Sequence, residues 1–117
     1  MKEYPVTPIG KPRMTQRDKW KGRDCVKRYH EFKDACRLHK VTLNLSQDHV
    51  TFILPMPKSW SAKKRANMDG KPHQLKPDID NLTKALFDAV MDQDCGIWDC
   101  RVTKRWGVEG KIIVNAG

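Results

Sequence analysis

Features that would assign this protein to a membrane or secreted class are missing from its sequence. None of its apolar runs approaches the about 18 residues that mark a membrane-spanning helix. Residues 1–5 are too polar for the apolar region of a secretion signal. Internal repeats and low-complexity tracts are also absent. We therefore expect one small cytoplasmic domain over residues 1–117 that does not bind membranes.

Cysteine patterns that bind metals are missing too. The cysteines at positions 25, 36, 95 and 100 form no C-x-x-C pair, and none lies at zinc-finger spacing from a histidine. In a reducing cytosol they are expected to be free thiols. We expect no structural zinc site and no organic cofactor.

Acidic residues are few and unevenly placed. Asp and Glu number 14 against 23 Lys and Arg, and the net charge of +9 favours a polyanionic partner such as nucleic acid. Bases concentrate in segments 11–28 and 58–76, whereas acids concentrate in segment 78–99. Carboxylates repel the phosphates that the bases attract. Bound divalent cations would resolve that conflict by bridging carboxylate and phosphate.

Apolar periodicity predicts six elements in the order β-α-β-α-β-β. Strand patterns occur at 4–9, 49–56, 101–106 and 111–115, and amphipathic helix patterns occur at 26–40 and 78–91. Gly107 and Gly110 predict a hairpin between the last two strands. We expect an α+β fold in which the two helices cover one face of a mixed sheet.

Two segments without periodicity are candidate DNA-binding arms. Residues 11–24 and 58–77 combine basic side chains with one tryptophan each, Trp20 and Trp60. Such arms would follow the phosphate backbone of a nucleic acid. Solvated loops would have the same composition, so both interpretations stay open.

The acidic segment begins with Asp78 and Asp80 at the predicted start of the second helix. With Asp78 as N-cap, both carboxylates can point at one site. Asp80, Lys84 and Asp88 share one helix face, and capping with ion pairs would explain all of them structurally. The chemical alternative is a Mg²⁺ site in which Lys84 stabilises negative charge on a phosphate. That site would need a third carboxylate from beyond the helix, and the residues at 92 and 94 are both candidates.

The segment 76–89, with the sequence KPDIDNLTKALFDA, resembles the motif of the RusA family of Holliday junction resolvases, which are common in prophages. The D-x-D-N-x-x-K core at 78–84 is its specific part. The resemblance continues through Asp94 and Ile97 to residues 99–102. It also includes the basic segment at 10–13 and the final strand, so it covers nearly the whole chain.

The resemblance implies a homodimeric, Mg²⁺-dependent endonuclease, with Mn²⁺ as a substitute. Such enzymes cut two opposed strands of a four-way DNA junction by symmetric nicks, in recombination and repair. The implied catalytic residues are Asp78, Asp80, Asp94 and Lys84, and the three aspartates would be the metal ligands.

Two further motif residues are expected beside the metal ligands. Asn81 would orient a ligand or a water, and Asp88 would form an ion pair with Lys84. At the third aspartate the family typically has D-D, whereas this chain has Gln93 before Asp94.

DNA binding and dimerisation complete the sequence-based expectations. The candidate DNA-binding residues are Lys11, Arg13, Arg17, Lys64, Arg65, Lys76 and Lys104. A two-fold dimer would present identical sites to a symmetric junction. Its interface would use apolar residues that could instead fill the core, namely Trp98, Trp106, Ile112, Ile113 and Val114. The rival functions are a non-catalytic basic nucleic-acid-binding module and a nuclease of broader branched-DNA specificity. We expect a bacterial or phage-encoded protein.

Overall fold

The computed structural model describes residues 2–12, 24–43, 46–91 and 96–116. In these residues three helices and four strands follow in the order β-α-β-α-α-β-β. They are β1 (Lys2–Tyr4), α1 (Asp24–Leu38), β2 (Ser46–Pro55), α2 (Ala62–Met68), α3 (Ile79–Val90), β3 (Asp99–Gly107) and β4 (Lys111–Ala116). The predicted α+β class with a mixed sheet is confirmed. The predicted number of helices is wrong, because α2 lies within the segment that was expected to be a loop.

The four strands form one sheet in the order β1-β4-β2-β3. β2 pairs in parallel with β3 and antiparallel with β4. The predicted hairpin between β3 and β4 is therefore wrong, because β2 lies between them. A central position suits β2, since the side chains of Val50 and Phe52 are fully buried and both of its edges are paired.

The first strand is shorter and earlier than predicted. Its residues Lys2 to Tyr4 pair with β4, and the strand ends where Pro5 follows. Proline has no backbone N–H to donate to a sheet, so Pro5 and Pro8 interrupt strand pairing over the rest of the predicted segment. Val6 still contributes to the core, because it is 2% exposed.

Both α1 and α3 cover one face of the sheet, as predicted. The alternating residues Val50, Phe52 and Leu54 of β2 face these helices and are buried. Tyr29, Phe32 and Cys36 from α1 and Leu82, Ala85 and Leu86 from α3 complete this core. The two helices also pack against each other. The second helix of the sequence prediction thus exists as α3, with its apolar stripe inside.

The short helix α2 is folded although none of its residues is buried. The hydroxyl of Ser61 accepts a hydrogen bond from the backbone N–H of Lys64 at 3.2 Å, which caps the helix start. After the helix, Gly70 adopts φ +78°, a left-handed conformation that favours glycine. Without a buried stripe, α2 has no 3.6-residue apolar period that a sequence pattern could reveal.

Residues 70–73 cover the outer edge of β3. The N–H of Gly70 donates to the carbonyl of Trp106 at 2.9 Å, and the N–H of Trp106 donates to the carbonyl of Lys71 at 3.0 Å. The N–H of His73 donates to the carbonyl of Lys104 at 3.1 Å. These bonds fix the path of the chain from α2 toward the start of α3.

The apolar residues considered for a dimer interface divide into two groups. Trp106, Ile112 and Val114 are buried within the chain, so for these three the core interpretation is confirmed. Trp98 is 72% exposed, and Ile113 is half-buried on the sheet face opposite the helices. Across the described ranges, no helix is both long and apolar enough to cross a membrane.

Candidate active site

Asp78 is the N-cap of α3, as the sequence predicted. The backbone carbonyl of Asp78 accepts the N–H of Leu82 at 3.1 Å, while its side chain makes no capping hydrogen bond. The purely structural explanation for this aspartate assumed that the carboxylate caps the helix. The carboxylate is exposed instead, and it is free of that role.

Asp80 and Lys84 form a loose pair on the first turns of α3. The Lys84 Nζ lies 3.8 Å from the Asp80 Oδ2, and both side chains are about two-thirds exposed, at 62% and 66%. An exposed pair at this separation contributes about 0–1 kcal/mol to stability. Both groups can therefore change partners at little cost when a cation or a phosphate approaches.

The donor chemistry at this helix start fits a hard divalent cation. Asp78 and Asp80 supply exposed carboxylate oxygens, which are the ligands that Mg²⁺ prefers. The part of the chain that the structure describes contains no group of three or more His, Cys, Asp or Glu side chains that could hold a metal ion. Asp92 and Asp94, the two candidates for the third ligand, lie outside the described residues.

Asp88 has different partners from those expected. Its Oδ2 lies 2.5 Å from the Lys11 Nζ and accepts a hydrogen bond from the Tyr29 hydroxyl at 3.0 Å. The predicted Asp88–Lys84 ion pair is therefore wrong, because Lys84 pairs with Asp80 one turn earlier. The segment before residue 13 approaches α3 from the side of Asp88, which the local helix pattern could not reveal.

The charge state of Asp88 follows from these partners. Burial alone would raise the pKa of its carboxyl group. The hydrogen bonds from Lys11 and Tyr29, together with the positive charges of Lys11 and Lys33, outweigh burial and lower the pKa of Asp88. Burial, then the hydrogen bond to Asp88 and its negative charge, raise the pKa of Tyr29. The carboxylate is thus held ionised beneath the N-terminal segment.

That N-terminal segment also contacts the first turn of α3 through its backbone. The N–H of Lys11 donates to the carbonyl of Asn81 at 3.2 Å. A Cβ added to Gly10 would lie 3.0 Å from the Cβ of Pro77 and 3.5 Å from that of Asn81. Gly10 therefore permits a close approach to the residues that flank Asp78 and Asp80.

Lys104 reaches the same region from β3. Its Nζ donates to the carbonyl of Leu75 at 2.5 Å and to the carbonyl of Pro77 at 2.9 Å. Burial, followed by the charge of Lys104, lowers the pKa of the neighbouring His73. The sequence identified Lys104 as a candidate phosphate contact, whereas here its ammonium binds backbone carbonyls next to Asp78.

The basic helix α2 is held on the sheet by aromatic side chains. The ring of Trp60 lies 4.8 Å from that of Trp106, which in turn lies 4.2 Å from the ring of His73. The Lys64 Nζ lies 4.4 Å from the centre of the Trp60 ring. Trp60 therefore anchors α2 and orients Lys64, since Trp106 and Lys64 both cover its ring.

Three of the remaining predicted DNA-binding residues belong to the described part of the chain. Lys64 and Lys76 are exposed, and Arg65 is half-buried. Arg13 and Arg17 lie outside the described residues. The sequence analysis did not predict the Tyr29–Asp88 and Lys104–Pro77 hydrogen bonds. Both join distant parts of the chain, so no local sequence pattern indicates them.

Comparison with known proteins adds one finding. The family model described as endodeoxyribonuclease RusA matches residues 3–116 of this chain. The match includes the last two residues of β1, the N-terminal segment around Lys11, the whole of α3, and both β3 and β4. Searches of curated proteins and of solved structures found no match.

Proposed function

The chain belongs to the RusA family of Holliday junction resolvases, and we propose that its active site is built on Asp78, Asp80 and Lys84 at the start of α3. The family makes it an endodeoxyribonuclease, a hydrolase of phosphodiester bonds, and such nucleases are generally metal-dependent. The finer proposal is a Mg²⁺-dependent enzyme, with Mn²⁺ as a substitute. It would resolve four-way junctions by paired symmetric nicks within one catalytic domain over residues 1–117.

One observation carries the proposed site. Asp78 caps α3 with its backbone alone, so two exposed carboxylates stand at the start of this helix. A structural cap would use the Asp78 side chain, and a strong structural ion pair would bring Lys84 closer to Asp80 than 3.8 Å. Neither group is committed to stabilising the helix, which suits residues that bind a substrate and its cation.

The roles of the individual side chains follow from their chemistry. Asp78 and Asp80 would hold Mg²⁺ together with Asp94 from beyond the helix. A divalent cation held there would neutralise negative charge that develops on the scissile phosphate. Lys84 would donate from its ammonium to a phosphate oxygen, and the positive end of α3 would add to that attraction. Asn81, in the same turn, would orient one of the ligands or a water.

DNA binding is proposed for the exposed basic residues around this site. Lys64 and Arg65 on α2, and Lys76 just before the site, would contact phosphates of the junction arms. Lys11 and Lys104 remain candidates, although both ammonium groups already have partners in the protein. Arg13 and Arg17 are proposed from the sequence alone.

Two cuts on opposed strands require two sites, so we propose a homodimer. Trp98 and Ile113 are the candidate interface residues that are not enclosed in the core. Sedimentation velocity measures the assembly state directly, and a purely monomeric species at micromolar concentration would refute this part. A location in the cytoplasm of a bacterium, and an origin in a bacterial or phage genome, are also proposals.

Substitution of Asp80 by asparagine tests the active site. Asp80→Asn should reduce Mg²⁺-dependent cleavage of a synthetic four-way junction by on the order of 10³-fold, because a lost metal ligand costs several kcal/mol in the transition state. Junction binding without metal should be retained or tighter, since a carboxylate that repels phosphate is gone. Asp34→Asn, which also removes one negative charge from an exposed helix position, is the matched control.

The same assay separates the rival functions. Cleavage by Asp80→Asn at the rate of the Asp34→Asn control would refute the assigned site. Absence of cleavage by the unmodified protein with any divalent cation would favour the non-catalytic binding module. Equal rates on four-way junctions, flaps and linear duplex would favour the nuclease of broader specificity.

A further inference from the structure

We propose that Lys104 is a positioning residue of the active site, because its ammonium holds the backbone from which the Asp78 carboxylate projects. This inference rests on the proposed function of Asp78 as a metal ligand. It changes the role that the sequence indicated for Lys104, from a phosphate contact to a residue that acts through another residue.

The location of Lys104 makes this role possible. In the parallel pairing of β2 with β3, Lys104 lies opposite Phe52, which is fully buried beneath the helices. Paired residues of neighbouring strands point to the same face of a sheet, so Lys104 also points to the helix side. A lysine on that face must bring its charge to polar partners, and the partners it reaches are the carbonyls of Leu75 and Pro77.

The two hydrogen bonds fix the chain just before the catalytic helix. Hydrogen bonds that involve a charged group are stronger than bonds between neutral groups. The carbonyl of Lys104 also accepts the N–H of His73 at 3.1 Å, so one residue of β3 holds this segment at three points. Only the peptide nitrogen, Cα and Cβ of Asp78 separate the Pro77 carbonyl from the Asp78 carboxylate. Displacement of that carbonyl therefore displaces the carboxylate.

The charge of Lys104 has no acidic partner within the described part of the chain. The ion pairs there involve other residues, and the Lys104 Nζ is satisfied by carbonyl oxygens. Two of the three N–H groups of the Lys104 ammonium already donate hydrogen bonds to backbone carbonyls. This geometry favours a positioning role over a direct phosphate contact.

Binding of Mn²⁺ to the protein alone tests the inference independently of catalysis. We compare the unmodified protein with Lys104→Met, which keeps the length of the stem and removes the ammonium, by following free Mn²⁺ with electron paramagnetic resonance. Lys104→Met should weaken Mn²⁺ binding by about 10–100-fold, the usual effect of removing a group that orients a metal ligand. In the cleavage assay, the Mg²⁺ concentration for half-maximal activity should rise by a similar factor.

Two further variants identify the cause of such a loss. Lys104→Arg keeps the charge and the donors, and it should recover part of the Mn²⁺ affinity. Arg101→Met removes the same charge from an exposed position three residues earlier on β3, and it should leave Mn²⁺ binding unchanged. Junction affinity without metal, and its dependence on salt, should be the same in Lys104→Met as in the unmodified protein.

Several outcomes would overturn the inference. One is Mn²⁺ binding by Lys104→Met equal to that of the unmodified protein. Another is a salt dependence reduced by about one unit of log–log slope, which would identify Lys104 as a phosphate contact. If Lys104→Met does not fold, Lys104→Gln is measured in its place under the same criteria. A protein that binds Mn²⁺ but cleaves no junction would refute the proposed function, and the Mn²⁺ titration would still decide the role of Lys104.

Discussion

The hydrogen bond between Tyr29 and Asp88 offers a direct test of how α1 and α3 are held together. Tyr29 is 2% exposed, and its hydroxyl donates to the Asp88 Oδ2 at 3.0 Å. The same oxygen contacts the Lys11 Nζ, so one carboxylate joins α1, α3 and the N-terminal segment. Tyr29→Phe removes the hydroxyl and leaves the buried ring in place. The substitution therefore isolates one bond.

The structure sets the size of the expected effect. A hydrogen bond to a charged acceptor contributes about 1.5–3 kcal/mol to the free energy of unfolding. The Asp88 side chain is 34% exposed and keeps Lys11, so its carboxylate is not left without a partner, and we expect a loss near 1.5 kcal/mol. Lys11→Met breaks an ion pair between side chains that are 40% and 34% exposed, and it should cost about 0.5 kcal/mol. Loss of the Tyr29 hydroxyl should thus lower the free energy of unfolding more than loss of the shorter Lys11–Asp88 ion pair does.

Urea unfolding followed by tryptophan fluorescence measures both variants, and the loss for Tyr29→Phe should appear as a lower midpoint at unchanged slope. The pKa of Asp88 is lowered in the folded state, so its stabilising contribution is present above the ordinary carboxyl pKa and is lost as pH falls through the folded value. The difference between Tyr29→Phe and the unmodified protein should therefore shrink progressively as pH falls below the ordinary carboxyl pKa of 3.8. A larger loss for Lys11→Met than for Tyr29→Phe would refute the reasoning, as would a difference that does not change with pH.

Two other predictions concern the loop that connects β3 to β4 and the basic helix α2. Gly110→Ala should lower the free energy of unfolding by about 1–3 kcal/mol, because the new Cβ would lie 2.7 Å from the backbone Cα of Thr7; an unchanged urea midpoint would contradict this. Lys64→Ala, measured by anisotropy with labelled junction DNA in the Asp80→Asn background, should reduce the log–log salt slope of binding by about one. An unchanged slope would mean that Lys64 makes no phosphate contact.

The elements that sequence analysis predicted correctly are those that bury a periodic face. The helices α1 and α3 and the strand β2 present apolar stripes to one core, and that core is what makes the pattern visible in the sequence. Helix α2 buries no residue and depends on Ser61 and Gly70 at its two ends. A search for caps as well as for stripes would have found it.

Strand pairing was predicted less well than strand position. β3 and β4 have the same alternation whether they are neighbours or are separated by another strand, because alternation reports which face is buried and not which strand lies alongside. Glycines in the connection suggested a hairpin. The short connection instead passes the end of β2, where Gly110 lies against Thr7. Contacts between distant segments decided this arrangement.

The candidate site likewise combines residues that are close together in the sequence with residues that only the fold brings near them. Asp78, Asp80 and Lys84 lie within two turns of one helix, so their spacing in the sequence was enough to group them. Lys11 and Lys104 reach this helix from elsewhere in the chain, and their contacts required the fold. The identity of the third carboxylate stays a prediction, with Asp94 preferred over Asp92.

These contacts distinguish the basic residues that stabilise the fold from those that are available to bind DNA. Lys11 is bound to Asp88, and Lys104 is bound to the carbonyls that precede Asp78. Each would lose an existing partner on binding a phosphate, and that loss reduces the net gain. Lys64 and Lys76 are exposed, and Lys64 is already oriented by Trp60, so they can bind phosphates at lower cost. Of these four lysines, Lys64 and Lys76 should therefore contribute most to phosphate binding, while Lys11 and Lys104 hold α3 in place from opposite ends of the sequence.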